Sequence, residues 1–188
     1  MGQIKALISD LDGTLVDTFE ANYQTYKIVF KLHNIDMSRQ FYEENFGLRI
    51  DDLCKKLNII DKNEINTIKV EKSNLYPLEF IYLKLNIFLL SVFTNAKQQG
   101  IKIALASTAS KKNVYNVYNV LNYFKLENFF DIIICGEDVS KGKPNPEVYE
   151  TALKKLNVSS NEALVFEDSE IGIKAAENAN INYVKIKM

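Results

Sequence analysis

The sequence predicts an α/β fold: a Rossmann-like parallel sheet core with a helical cap domain inserted after its first strand. Three observations carry that prediction. Gln3–Ser9 reads as a short buried strand that ends abruptly at Asp10-Leu11-Asp12-Gly13-Thr14. Between residues 17 and 87, apolar residues recur at helical spacing. From Ile101 onward, short apolar runs alternate with helical segments, the pattern of right-handed βαβ units in a parallel sheet.

The elements follow in order. Phe19–Leu32 brings Tyr23, Tyr26 and Phe30 to one helical face, with Thr18 placed as N-cap. Arg39–Asn45, Asp51–Leu57 and Lys62–Asn74 are further helices, and Tyr76-Pro77 marks a break. Tyr23, Tyr26, Phe41, Tyr42 and Phe46 are expected to form the core of this inserted module. Ile87–Gln99 reads as a helix stopped by Gly100. Then come strand Ile101–Ser107, helix Lys111–Tyr123, strand Asp131–Cys135, helix Asn145–Leu156, strand Ala163–Phe166, helix Ser169–Asn178 and strand Asn182–Ile186. The expected division is therefore a core of 1–16 with 88–188 and a helical cap of 17–87.

Composition narrows the function. Of 188 residues, 23 are Lys or Arg and 24 are Asp or Glu, a balance that argues against a dedicated nucleic-acid binder. Two cysteines far apart, Cys54 and Cys135, support neither a disulfide framework nor a zinc site and fit a reducing, cytoplasmic setting. The single histidine, His33, makes a histidine-based metal centre or proton relay a poor candidate. Leu83–Phe93 is interrupted by Lys84, Asn86 and Ser91 and falls short of the ~20 residues of a membrane span. Ala6 stands where a myristoylation signal wants Ser or Thr. No membrane or nucleic-acid partner is expected, and the chain is expected to act as a monomer, with a dimer as the alternative.

In an open parallel sheet, ligands bind beyond the carboxyl ends of the strands. Strand one delivers Asp10 and Asp12 there, strand two Ser107 and Thr108, strand three a loop with Lys141 and Lys143, and strand four Glu167 and Asp168. Carboxylates from two strands suit a hard cation such as Mg²⁺. A lysine and a hydroxyl opposite them suit a phosphoryl group, whose transfer depends on placement and charge stabilisation. Of two aspartates beside a turn-permitting glycine, one can be the nucleophile and the other the acid for the leaving oxygen. Singly, each residue has a plainer reading: a solvated turn at Asp12-Gly13, a helix cap at Ser107, a surface charge at Lys143, a favourable helix start at Glu167-Asp168. An EF-hand register would place Ile8 and Phe19 at ligand positions. A Walker A reading of Gly136–Lys143 fails on spacing and on Pro144.

These segments resemble the four ordered motifs of the haloacid dehalogenase superfamily, in its helical-cap branch of small phosphatases and β-phosphoglucomutase. The stretches are Ser9–Asp17, Ile103–Ser110, Lys141–Pro146, and Phe166–Ser169 with Gly172-Ile173. The resemblance covers the whole chain. It implies Asp10 as nucleophile and Mg²⁺ ligand, and Asp12 as general acid/base with its backbone carbonyl on the metal. It further implies Ser107, Thr108 and Lys143 on the phosphate, Asp168 on the metal, and Glu167 in the first or second ligand shell. Lys143 is preferred to Lys141 because the family's lysine directly precedes proline. Thr18, Asn22 and Arg49 of the cap are candidate substrate contacts, and the cap is expected to close over the site and select the substrate.

The activity implied is Mg²⁺-dependent hydrolysis of a small phosphorylated metabolite through an aspartyl-phosphate. A β-phosphoglucomutase-like mutase is the alternative, weakened because Asn22 stands where that enzyme's cap histidine is expected and Ile50 near its cap arginine, with Arg49 one place off. A non-catalytic binding protein on the same fold is the second alternative. Dehalogenation is disfavoured by Asp12 and Lys143. One departure concerns integrity: the family's Pro-Gly before strand two is absent, with Leu85-Asn86 near its place.

Overall fold

The computed structural model describes residues 3–122 and 128–188, so the expected helix end at Tyr123 lies outside the described residues. In chain order the elements are β1 (Ala6–Ser9), β2 (Val16–Asp17), α1 (Phe19–Leu32), α2 (Arg39–Glu43), α3 (Ile50–Lys56) and α4 (Lys62–Leu75). A 3₁₀ segment (Tyr76–Tyr82) leads to β3 (Lys84–Leu85), α5 (Ile87–Gln98), β4 (Lys102–Ala106), α6 (Lys111–Asn122) and β5 (Ile132–Ile134). The chain continues through α7 (Glu147–Leu156), β6 (Ala163–Glu167), α8 (Glu170–Asn178) and β7 (Asn182–Lys185). Two compact units result: Met1–Asp17 with Leu85–Met188, and Thr18–Lys84. The two-residue strands β2 and β3 pair with one another, and neither is long enough to leave a period-2 signal in the sequence.

The first unit is built on a five-stranded sheet in the order β5-β4-β1-β6-β7, with its described pairings parallel. Strands covered on both faces must be apolar throughout. Accordingly Ala6, Leu7 and Ile8 of β1 and Ile103–Ala106 of β4 are buried without alternation. Alanines on both sides let α7 and α8 approach closely: Ala6, Ile8, Ala104, Ala106, Ala163 and Val165 meet Val148, Tyr149, Ala152, Leu156, Ala175 and Ala176. Phe93 of α5 packs edge-on against Phe166, ring centroids 5.1 Å apart. β7 is exposed along its length and carries Lys185, a charge of the kind that guards a sheet edge. From β1 the chain moves outward through β4 and β5, then returns to β6 on the other side of β1. The topological switch point therefore lies between β1 and β6.

The absent Pro-Gly has a replacement. Asn86 caps α5 by accepting from the Leu89 N–H (3.0 Å), while its Nδ2 donates to the Thr14 carbonyl (3.1 Å) and its own N–H to the Leu15 carbonyl (2.9 Å). One side chain opens the helix and ties it to the loop that follows β1.

The second unit is helical. Tyr23, Tyr26, Val29 and Phe30 of α1 form its core with Tyr42, Leu53, Cys54, Ile65 and Ile68, and Phe41 and Phe46 pack at its border. His33 lies between two carboxylates of α4, with Nδ1 3.3 Å from Glu64 and Nε2 2.9 Å from Glu71, which fastens the end of α1 to α4. Thr18 occupies the N-cap position of α1 but makes no side-chain capping bond; its carbonyl instead accepts from the Asn22 backbone and side chain. Among the described residues no helix is long and apolar enough to cross a membrane.

Candidate active site

The site is set by the chain just past β1. The Asp10 N–H donates to the Phe166 carbonyl of β6 (3.0 Å), which keeps Asp10 in line with Glu167 as the strand ends. A tight turn follows, closed by Val16 N–H to Leu11 O (3.0 Å) and Gly13 N–H to Val16 O (2.8 Å). Gly13 is required twice. Its φ of +87° is a left-handed conformation, and a Cβ there would overlap the Asp168 carboxylate, 2.8 Å from its Cγ. Thr14, fully buried, donates its hydroxyl to Asp168 Oδ1 at 2.8 Å. The aspartates of motif one and motif four are thereby brought to the same turn.

Lys143 supplies the positive charge. Its side chain is 4% exposed, and its ammonium donates to Asp10 Oδ1 at 2.6 Å and to Glu167 Oε1. Lys141, by contrast, has its side chain at the surface, with its backbone N–H held by Glu147 (2.8 Å). Glu167 is engaged at both oxygens. Oε1 receives Lys143 and the Tyr149 hydroxyl (3.0 Å), and Oε2 receives the Ser169 N–H and hydroxyl (3.0 Å each). Its carboxylate lies where a side chain on Gly172 would be. Glu167, expected in a metal's first or second shell, anchors Lys143 through these bonds.

Ser107 is buried past β4, and its backbone N–H donates to the Ile134 carbonyl (3.0 Å). Its hydroxyl oxygen accepts from the Ala109 N–H (3.1 Å), so its own proton stays available to an incoming oxygen. Ser107 is not the cap of α6; the Ser110 hydroxyl accepts from Asn113 N–H (3.4 Å) at that helix start. Thr108 is half-buried, with its carbonyl against Gly136.

The charge balance is uneven. Burial pushes the Asp10 carboxyl well above the usual range; Lys143 opposes this, while Glu167, Asp168 and Asp12 add to it. Asp168 is pushed up to about 6, first by burial and then by the Glu167 charge. Glu167 is held below its usual value because Lys143 and Ser169 outweigh its burial. Burial also holds the Tyr149 phenol well above its ordinary range, so it remains a donor. Four carboxylates around one ammonium leave excess negative charge that a hard cation would neutralise. Among the described residues, no three His, Cys, Asp or Glu side chains form a ready cage. Mg²⁺ is typically bound through one or two carboxylates and takes water and phosphate oxygens for the rest.

A family model described as haloacid dehalogenase-like hydrolase matches residues 7–186. The chain belongs to that family. This hydrolase is 32% identical over 189 residues to the phosphorylated carbohydrates phosphatase of Thermotoga maritima, covering 96% of this chain and 84% of the relative. It is 27% identical to the β-phosphoglucomutase of Bacillus subtilis, covering 95% and 81%. Among solved structures it is similar to a mutant of CbbY from Rhodobacter sphaeroides in complex with xylulose-(1,5)bisphosphate. That match has a TM-score of 0.87, 25% identity, and covers 99% of this chain and 87% of the other.

The cap candidates stand apart from this cluster in sequence, and each is placed within the helical unit. Thr18 is fully buried. Asn22 is buried, with its amide donating to the Thr18 carbonyl (3.1 Å) and the Tyr76 hydroxyl (3.2 Å). Arg49 is half-buried at the N-cap of α3. Sequence reasoning missed Tyr149 and Asn86. Tyr149 hides within an amphipathic helix face, where nothing separates it from an ordinary core aromatic. Asn86 carries a recognisable signal, an Asn directly before an apolar helical run.

Proposed function

We propose that this hydrolase is a Mg²⁺-dependent phosphatase that removes the phosphoryl group from a small phosphorylated sugar through an aspartyl-phosphate on Asp10. The observation that carries the proposal is the buried Lys143 ammonium held between Asp10 and Glu167 at the switch point of the sheet. A lysine so placed can neutralise charge on a phosphoryl group presented to Asp10. The relatives named for phosphorylated carbohydrates and for a sugar bisphosphate complex support the substrate class.

In this reading an Asp10 oxygen attacks phosphorus, and the bond from phosphorus to the ester oxygen breaks. Asp12 gives its proton to the leaving oxygen. Water then attacks the acyl phosphate, Asp12 takes that water's proton, and inorganic phosphate leaves with Asp10 restored. Ser107 and Thr108 hold phosphoryl oxygens, and Lys143 balances their charge. Asp10, Asp168 and the Asp12 carbonyl would hold Mg²⁺, which when bound supplies the charge neutralisation that the clustered carboxylates and the phosphoryl group both need. A mutase is disfavoured because Asn22 carries no titratable proton and its amide is already spent on Thr18 and Tyr76.

The test is a screen of sugar phosphates for phosphate release with Mg²⁺ and with EDTA. Metal-dependent release from one or more of them is expected. Conversion of β-glucose 1-phosphate to glucose 6-phosphate without phosphate release would replace this reading with the mutase, and saturable binding without turnover would replace it with a binding protein.

A further inference from the structure

The hydroxyl of Tyr149 has no packing role. Tyr149 is fully buried in the first turn of α7, among Val148, Ala152, Ile8 and Val165, and a phenylalanine would fill the same volume. A buried hydroxyl is costly unless it finds a partner. This one donates to Glu167 Oε1 at 3.0 Å, and the face of its ring lies 5.1 Å from the Lys143 ammonium. With Ser169 on Oε2, the Glu167 carboxylate accepts four hydrogen bonds and cannot rotate without breaking some of them. A fixed Glu167 fixes the direction of Lys143. Of the three ammonium protons, one goes to Glu167 and one to Asp10 Oδ1. The Tyr149 hydroxyl faces the same ammonium, so Tyr149 bears on Lys143 directly as well as through Glu167.

We propose that Tyr149 is a positioning residue of the phosphoryl site: by locking Glu167, and with its ring and hydroxyl against the ammonium, it holds Lys143 on Asp10, where a substrate phosphoryl oxygen would meet it. The proposal rests on the phosphatase reading for its kinetic consequences but not for its geometry. Losing one hydrogen bond to a charged group in such a network is expected to lower kcat about tenfold. KM should stay within about twofold, because the aim of the ammonium matters most where charge develops on the phosphoryl group.

The experiment compares wild type, Tyr149→Phe, Lys143→Ala and the double variant on an aryl phosphate with Mg²⁺. It also records the lysine ammonium signals of wild type and Tyr149→Phe by ¹H–¹⁵N NMR. Three results are expected: a kcat loss in Tyr149→Phe, no further loss when that change is added to Lys143→Ala, and a slow-exchanging Lys143 ammonium signal that broadens or shifts in Tyr149→Phe. An unchanged kcat, or the same loss in the Lys143→Ala background, overturns the proposal, since a purely structural tyrosine acts independently of Lys143. If no protein hydrolyses any phosphomonoester, the phosphatase reading fails. The ammonium signal then decides the positioning role alone, and an unmoved signal in Tyr149→Phe refutes it.

Discussion

Adding one methyl group at Gly172 should damage the site more than many larger surface changes. The position lies in the first turn of α8, where alanine ordinarily stabilises a helix relative to glycine by up to about 1 kcal/mol. Here the new Cβ would coincide with the Glu167 carboxylate. That carboxylate is the far end of a flexible side chain, but Lys143, Tyr149 and Ser169 hold it in place. Moving it aside breaks at least two of its four hydrogen bonds, each worth about 1.5–3 kcal/mol for a charged acceptor. Subtracting the helical gain leaves a net loss of about 2–5 kcal/mol for Gly172→Ala, readable from urea denaturation midpoints. Lys143 moves with its anchor, and a displacement of about 1 Å at a reacting centre can cost ~10²-fold in rate. Phosphatase assays on the folded variant should show a fall of that order in kcat/KM. A variant that is more stable than wild type by the helical gain, with kcat/KM within twofold, would refute the claim that Glu167 is locked.

Other perturbations separate the parts of the account. Asn86→Ala removes both the cap of α5 and the tie to Thr14, and should cost about 1–2 kcal/mol in urea unfolding; an unchanged midpoint would contradict the capping role. Burial pushes the Cys54 and Cys135 thiols up to about 11 from about 9. At pH 8 their thiolate fraction is then lower by about 10²-fold than in the unfolded chain, so iodoacetamide should label them slowly until pH approaches 11 or urea is added. Lys5 first, and then Ser159, lower Glu162 to about 2. A depressed folded-state value means that this contribution is present above about pH 4.5 and is lost as pH falls toward 2. The stability difference between wild type and Glu162→Gln should therefore shrink across that window, and a difference that grows on acidification would contradict the pairing.

The α/β class and the strand-end residues were legible because both rest on local sequence. Strands buried on two faces must be apolar throughout, and Asp10, Ser107 and Asp168 follow such runs directly. The family motifs added Lys143 over Lys141, and Lys143 is the lysine whose ammonium meets Asp10. What escaped was held by long-range contacts. Tyr149 meets Glu167 across 18 positions, and Asn86 meets Thr14 across 72, with no periodicity to advertise either pair. Thr18 has the composition of an N-cap, yet its carbonyl serves Asn22 while its side chain makes no capping bond. The donors that hold Glu167 at both oxygens become visible only once α7 and α8 are placed beside β6.

The most direct test of the central claim compares wild type with Asp10→Asn on an aryl phosphate in Mg²⁺. The carboxamide keeps the size of the side chain but removes the nucleophilic oxygen and the charge that faces Lys143. The account predicts that wild type releases phosphate, with a transient phosphoryl adduct on the peptide containing Asp10, and that the variant stays folded but loses more than about 10³-fold in rate. Wild-type-like turnover by Asp10→Asn would contradict it.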